Sequence, residues 1–236
     1  MQLLCSLLFT AYLFVSTPVF STGVVLAAPF PYRVRYTVSR TWARSVLWLL
    51  KHICGLDYVV EGRENIPRDN HISMWKHSSS WETIAQMLVF PPQSWVLKHE
   101  LMWIPIVGWA IRAMRPIAID RGSGRIAVNR VVEQGKQRLA DGMWILIFPE
   151  GTRMAAGETR KYGVSGALLA TQTGRLVIPV AHNAGFYWPR RGLIKKRGTI
   201  RVVIGPPIDP RGFEPRQLNE RIQAWIESTV AQLQPR

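Results

Sequence analysis

Apolar and polar positions change rhythm twice along the chain. The first 32 residues carry no charged side chain. As a helix, residues 1–28 would extend about 42 Å at ~1.5 Å per residue, against roughly 30 Å for the hydrocarbon core of a bilayer. The stretch is therefore long enough to cross or enter a membrane even with Pro18 and Gly23 inside it. A cleaved leader ending near Ala27 and Ala28 is the competing reading, but such a leader begins with basic residues, and this apolar run has none and is too long. From Pro31 the period becomes helical and two-faced. Arg33, Arg40, Arg44 and Lys51 fall on one face, and Val38, Trp42, Val46, Leu49 and Ile53 on the opposite one. That pattern predicts a helix lying in a membrane interface, with a helix packed on a globular body as the alternative.

Beyond Gly55 the rhythm changes again, to short β-rich or apolar runs separated by longer helical patterns. Strands are predicted at 58–60, 72–75, 95–97, 116–119, 144–148, 176–180 and 200–204. Helices are predicted at 80–89, 125–140, 165–173 and 217–233. Their alternation indicates an α/β domain with a mixed, largely parallel sheet flanked by helices. The expected division is a membrane anchor and amphipathic helix over 1–54, followed by one domain over 55–236.

Charge narrows the partners. Thirty Lys and Arg against fifteen Asp and Glu give a net charge of +15, which favours an anionic surface, substrate or carrier. Ten tryptophans interleaved with arginine favour a membrane interface, with single-stranded nucleic acid as the rival ligand. The first acidic residue is Asp57, so the segment before it carries only positive charge and places the following body on the cytoplasmic side. Cys5 and Cys54 are too few for a disulfide framework and lack metal-ligand spacing.

Four places put polar residues directly after or around an apolar run, where α/β sheets build sites. In WKHSSSWE, His77 stands at a strand-to-helix junction with Glu82 five residues on. The carboxylate is within reach of one ring nitrogen, which leaves the other to accept a proton. Ser79-x-x-Glu82 also fits a capping box, so Glu82 has a structural role open to it. RPIAIDRGSGR brings Asp120, Arg121 and Arg125 into a glycine-containing loop before a helix. ILIFPEGTR carries Glu150, Gly151, Thr152 and Arg153 after a strand, and VIPVAHNAG ends a strand ahead of His182 and Asn183. Arg121 and Arg153 in turns suit forked hydrogen bonding to a phosphate. There is no G-x-S-x-G nucleophile elbow, and Trp103 occupies the second histidine position of an H-E-x-x-H zinc motif after His99-Glu100.

Taken in order, these blocks resemble the glycerolipid acyltransferases of the lysophosphatidic acid acyltransferase type over residues 57–207. HSSSWE is similar to the family's H-x4-D block, with Glu82 where Asp is usual, and AIDRGSG, FPEGTR and VIPV are similar to its other three. KHELMWIPIVGW, with Lys98, Glu100, Pro105 and Gly108, resembles the stretch between the first two. The resemblance implies a membrane enzyme that moves an acyl chain from acyl-CoA or acyl-carrier protein to the free hydroxyl of 1-acyl-glycerol 3-phosphate (lysophosphatidic acid), giving phosphatidic acid. It implies no cofactor, no metal and no nucleic-acid partner, and a place at the inner membrane with the catalytic domain facing the cytoplasm. Glycerol 3-phosphate or another lysolipid is the alternative acceptor, and a non-catalytic anionic-lipid or nucleic-acid binding module the alternative class.

By the same resemblance His77 is the general base and Glu82 orients it. Arg121, Glu150, Gly151, Thr152 and Arg153 bind the acceptor, with Lys161 a further candidate for its phosphate. Lys98 contacts the headgroup or neutralises Glu100. Residues 101–113 resemble the lining of an acyl-chain tunnel. His182 is read as structural, and 186–198, aromatic then basic, as a second membrane contact or a solvated loop.

Overall fold

A computed structural model describes residues 1–233, apart from the side chain of Arg121. Two long helices come first, α1 (Gln2–Leu26) and α2 (Tyr32–Cys54), joined by a short turn into an antiparallel hairpin. Then follow β1 (Leu56–Glu61), β2 (Ile72–Trp75), α3 (Trp81–Val89), β3 (Gln93–Lys98), α4 (Val107–Ala113), β4 (Ile117–Ile119) and α5 (Gly124–Ala140). The chain continues through β5 (Trp144–Ile147), α6 (Ser165–Thr173), β6 (Val177–His182), α7 (Ala184–Tyr187), β7 (Gly198–Ile204) and α8 (Pro215–Leu233). All seven expected strands and the four expected helices of the domain are present, and α4 and α7 are additions.

The strands form one sheet in the order β1-β7-β6-β2-β5-β3-β4, and only the β6–β7 pair is antiparallel. β2 lies inside it, with Met74 in register with Ile147 on one side and Pro179 on the other. Every residue of β2 is buried, as a strand covered on both faces requires. Side chains alternate between two apolar layers. Trp75, Leu146, Ile178 and Val180 face the layer built with α1, α2, α3 and α4, while Met74, Ile147, Val177 and Ala181 face α5, α6 and α8.

The first of these layers corrects the expectation for α2. Its stripe Val38, Trp42, Val46, Leu49 and Ile53 is turned inward, with Val46 fully buried and the others half-buried against the core. The reason is α1, which lies across that face: the Trp42 indole donates to Ser16 Oγ (3.1 Å) and Tyr12 to Ser45 Oγ (2.7 Å). α1 takes the outer position, burying Phe9 and Val24 and leaving Leu3, Leu4, Leu7, Leu8, Phe14, Val15 and Val19 exposed. It is long and apolar enough to cross a membrane. Its threonines bond back onto their own helix, as Thr17 Oγ1 does to the Leu13 carbonyl (2.6 Å), so their hydroxyls present no unsatisfied group to an apolar surrounding.

Candidate active site

His77 lies two residues past the end of β2, at the carboxyl edge of the sheet. Glu82, in the first turn of α3, is fully buried beneath it. One oxygen of that side chain, Oε1, accepts three donors: His77 Nδ1 (2.9 Å), Ser78 N–H (3.1 Å) and Ser79 N–H (2.9 Å). Ser79 Oγ in turn accepts the Trp81 N–H at 3.1 Å. The carboxylate that meets the imidazole thus also holds the backbone ahead of α3 through the Ser78 and Ser79 N–H groups, although the box is not closed reciprocally, because Ser79 Oγ takes the Trp81 N–H and not that of Glu82. A carboxylate can only accept, so Nδ1 carries the hydrogen and Nε2 of the neutral ring is free as an acceptor. Burial raises the Glu82 pKa, but the hydrogen bond from His77, the neighbouring histidines and the Ser79 N–H outweigh it and hold the carboxyl below its ordinary value. The ring is further fixed by stacking on Phe148 at 4.1 Å between centroids.

The loop after β5 pins the backbone of the same histidine. The His77 N–H donates to Glu150 Oε2 (2.7 Å), and the His77 carbonyl accepts from Met154 N–H (2.8 Å). Glu150 therefore points into the protein, toward the backbone of His77, rather than into the open cavity. Its second oxygen meets Lys76 Nζ at 2.8 Å. Lys76, 1% exposed, also bonds both carboxylate oxygens of Glu227 on α8 (2.9 and 3.0 Å) and the Glu158 carbonyl (2.9 Å). The Tyr162 hydroxyl donates to Glu227 Oε1 at 2.6 Å. Burial pushes the Glu150 carboxyl up to about 7, against the pull of Lys76 and the His77 N–H. His182 is structural in its contacts: its ring bonds the Lys76 carbonyl at 2.8 Å, and burial lowers its pKa.

A cavity of about 340 Å³ opens in front of His77, lined also by Lys98, Leu101, Thr152, Arg153, Arg190 and Arg191. Four cations surround one imidazole there. Lys98 is paired with Glu100 at 2.7 Å. The Arg190 guanidinium holds the Arg153 carbonyl (2.6 Å), and Arg153 Nε is buried with no partner among the described residues. Of the residues singled out in the sequence, His77, Lys98, Thr152 and Arg153 meet at this cavity, with Glu82 behind the histidine. Gly151 supplies a positive φ of 70° at the turn. Lys161 is exposed and does not line the cavity. The side chain of Arg121 lies outside the described residues.

In the sequence Arg190 and Arg191 belong to an aromatic-basic run, whose chemistry is visible there but whose destination is not. Lys76 and Glu227 gave no signal, since 151 residues separate them. A second, apolar cavity of about 220 Å³ lies between α1, α2, α3 and α4, with Phe20, Val24, Trp42, Met87, Ala110 and Ile111 among its walls. Among the described residues no three His, Cys, Asp or Glu side chains converge as metal ligands.

An imidazole held by a buried carboxylate beside a cationic pocket, in a chain with a separate apolar cavity, suits group transfer onto an anionic, lipid-like acceptor. The family model described as Acyltransferase matches residues 57–183, and the chain belongs to this family. It is 42% identical to a 1-acyl-sn-glycerol-3-phosphate acyltransferase of Pseudomonas aeruginosa, over 95% of this chain and 90% of that protein. The protein of the same name from Borreliella burgdorferi is 29% identical over 75% of this chain and 70% of its own length. In fold, the chain is similar to the crystal structure of the 1-acyl-sn-glycerophosphate (LPA) acyltransferase of Thermotoga maritima. That match has a TM-score of 0.82 at 24% identity and covers 100% of this chain and 97% of that one.

Proposed function

We propose that the enzyme acylates the free hydroxyl of 1-acyl-glycerol 3-phosphate to give phosphatidic acid, with His77 as general base and acyl-CoA or acyl-carrier protein as donor. The supporting observation is the bond from His77 Nδ1 to Glu82, which leaves Nε2 as the one ring nitrogen able to take a proton at the cavity. Nε2 removes the hydroxyl proton as the oxygen attacks the thioester carbonyl, a contribution of roughly 10²- to 10⁴-fold. Glu82 stabilises the imidazolium that forms. The tetrahedral intermediate collapses by breaking the C–S bond, and the thiolate, whose conjugate thiol has a pKa of about 8.5, takes the proton back from the ring. No acyl-enzyme is formed.

Only a few bonds separate the acceptor hydroxyl from its phosphate, so the phosphate site must adjoin the base. Thr152, Arg153, Lys98, Arg190 and Arg191 stand there. Glu150 and Gly151 shape the loop that presents Arg153. The apolar cavity beside α3 is the counterpart for an acyl chain. The exposed apolar face of α1 enters the membrane, and the basic residues of α2 keep the domain on the cytoplasmic side.

Purified full-length protein, given one labelled donor and a panel of 1-acyl-glycerol 3-phosphate, glycerol 3-phosphate and other lysolipids, tests the assignment. Transfer to 1-acyl-glycerol 3-phosphate is expected, abolished in His77→Ala with membrane association intact. Transfer to another acceptor alone would overturn it. Arg153→Ala is expected to raise KM for the acceptor more than it lowers kcat.

A further inference from the structure

The largest cavity described in the molecule, about 790 Å³, is not at His77. It is lined by Tyr32, Arg33, Tyr36 and Arg40 of α2, by Arg68 ahead of β2 and by Arg115 ahead of β4, with Asn70, Pro92 and Trp144 at the amino ends of β2, β3 and β5. The base stands beyond the carboxyl end of β2, so this cavity opens at the opposite edge of the sheet. The seven steps from Asn70 to His77 span at most about 23 Å at ~3.3 Å per residue.

Its electrostatics are those of an anion site. Arg115 is neutralised by Asp141. Arg33, Arg40 and Arg68 make no ion pair among the described residues, and the exposed Asp69 is the remaining acidic residue of the wall. On the lining, Tyr32 donates to the Gln93 carbonyl (3.0 Å), and Arg40 Nε has no hydrogen-bond partner among the described residues.

The surroundings identify the carrier of that anion. The turn between α1 and α2 runs directly into Tyr32 and Arg33, and it is flanked by exposed Leu26, Phe30 and Val34. Cations in a pocket beside exposed apolar side chains fit a phosphate that has acyl chains attached. We propose that this cavity binds the phosphate headgroup of an anionic phospholipid, at a site separate from the acceptor's and independent of the transfer chemistry.

Native mass spectrometry of the full-length protein in detergent micelles tests this, with phosphatidylglycerol as the probe and phosphatidylcholine as the comparison. The wild type should retain phosphatidylglycerol in preference to phosphatidylcholine. Arg33→Ala/Arg68→Ala should weaken that retention roughly tenfold or more, as expected for two lost charge-assisted contacts. Both side chains are exposed, and unchanged acyl transfer without added phosphatidylglycerol shows that the variant is folded. Arg216→Ala/Arg221→Ala on α8 should keep the lipid. Equal retention by the first variant and the wild type, or equal loss in the α8 variant, overturns the site. Full displacement by millimolar inorganic phosphate overturns the lipid as its occupant in favour of free phosphate.

Discussion

Glu82 Oε1 receives an imidazole N–H and two backbone N–H groups at once, so one atom both orients His77 and holds the backbone ahead of α3. Glu82→Gln keeps a carbonyl able to accept but loses the charge that stabilises the imidazolium. We expect kcat to fall about 10- to 100-fold with KM for the acceptor little changed, and Glu82→Asp to restore part of it, as steady-state kinetics will show. Glu150 predicts a pH effect of opposite kind to that of an ordinary surface carboxylate. Its folded value, about 7, lies above its ordinary 4.5, so the stabilisation from holding its proton is complete below about pH 4.5 and is lost as pH rises through 7. That contribution is on the order of 3 kcal/mol, and Glu150→Gln should flatten the fall in thermal stability measured between pH 5 and 8. His77, Glu82 and Arg153 were legible in sequence because short motifs keep them close to a strand end. The inward turn of Glu150 was not, since it depends on Lys76 and on the backbone of a loop far away in the chain.

At the scale of elements, each of the seven strands is a short apolar run between turn residues, and local pattern suffices to find them. α4 is only seven residues long and starts after Ile106, whose φ of 63° is rare for a β-branched residue; no periodicity announces such a turn. The stripe on α2 was equally plain, yet a stripe states only that something apolar covers it, and α1 rather than lipid does so. α7 is shorter still, but it packs tightly behind the loop that carries His77. A Cβ on Gly185 would stand 2.8 Å from both Cβ and Oγ of Ser78. Gly185→Ala should therefore shift the residue next to His77, at a cost of about 1–3 kcal/mol in stability. Lower kcat together with a lower melting temperature is the expected result.

Across the whole molecule, a hairpin with an apolar outer face is fused to a body that carries most of a +15 charge. Leu8→Glu/Val15→Glu places two carboxylates on the outer face of α1, where Leu8 is 56% and Val15 66% exposed, and leaves the core untouched. The bound fraction in vesicle sedimentation should drop while transfer to a micellar acceptor persists; unchanged binding would remove α1 as the anchor. The cluster of Lys76, Glu150 and Glu227 joins the residue beside His77 to α8, the last of the described elements in chain order. Synthesis therefore completes the segment that carries His77 well before the one that carries Glu227. Until α8 docks, the loop around His77 stands without that brace, and we expect a nascent domain to gain transfer activity only once Glu227 has reached Lys76.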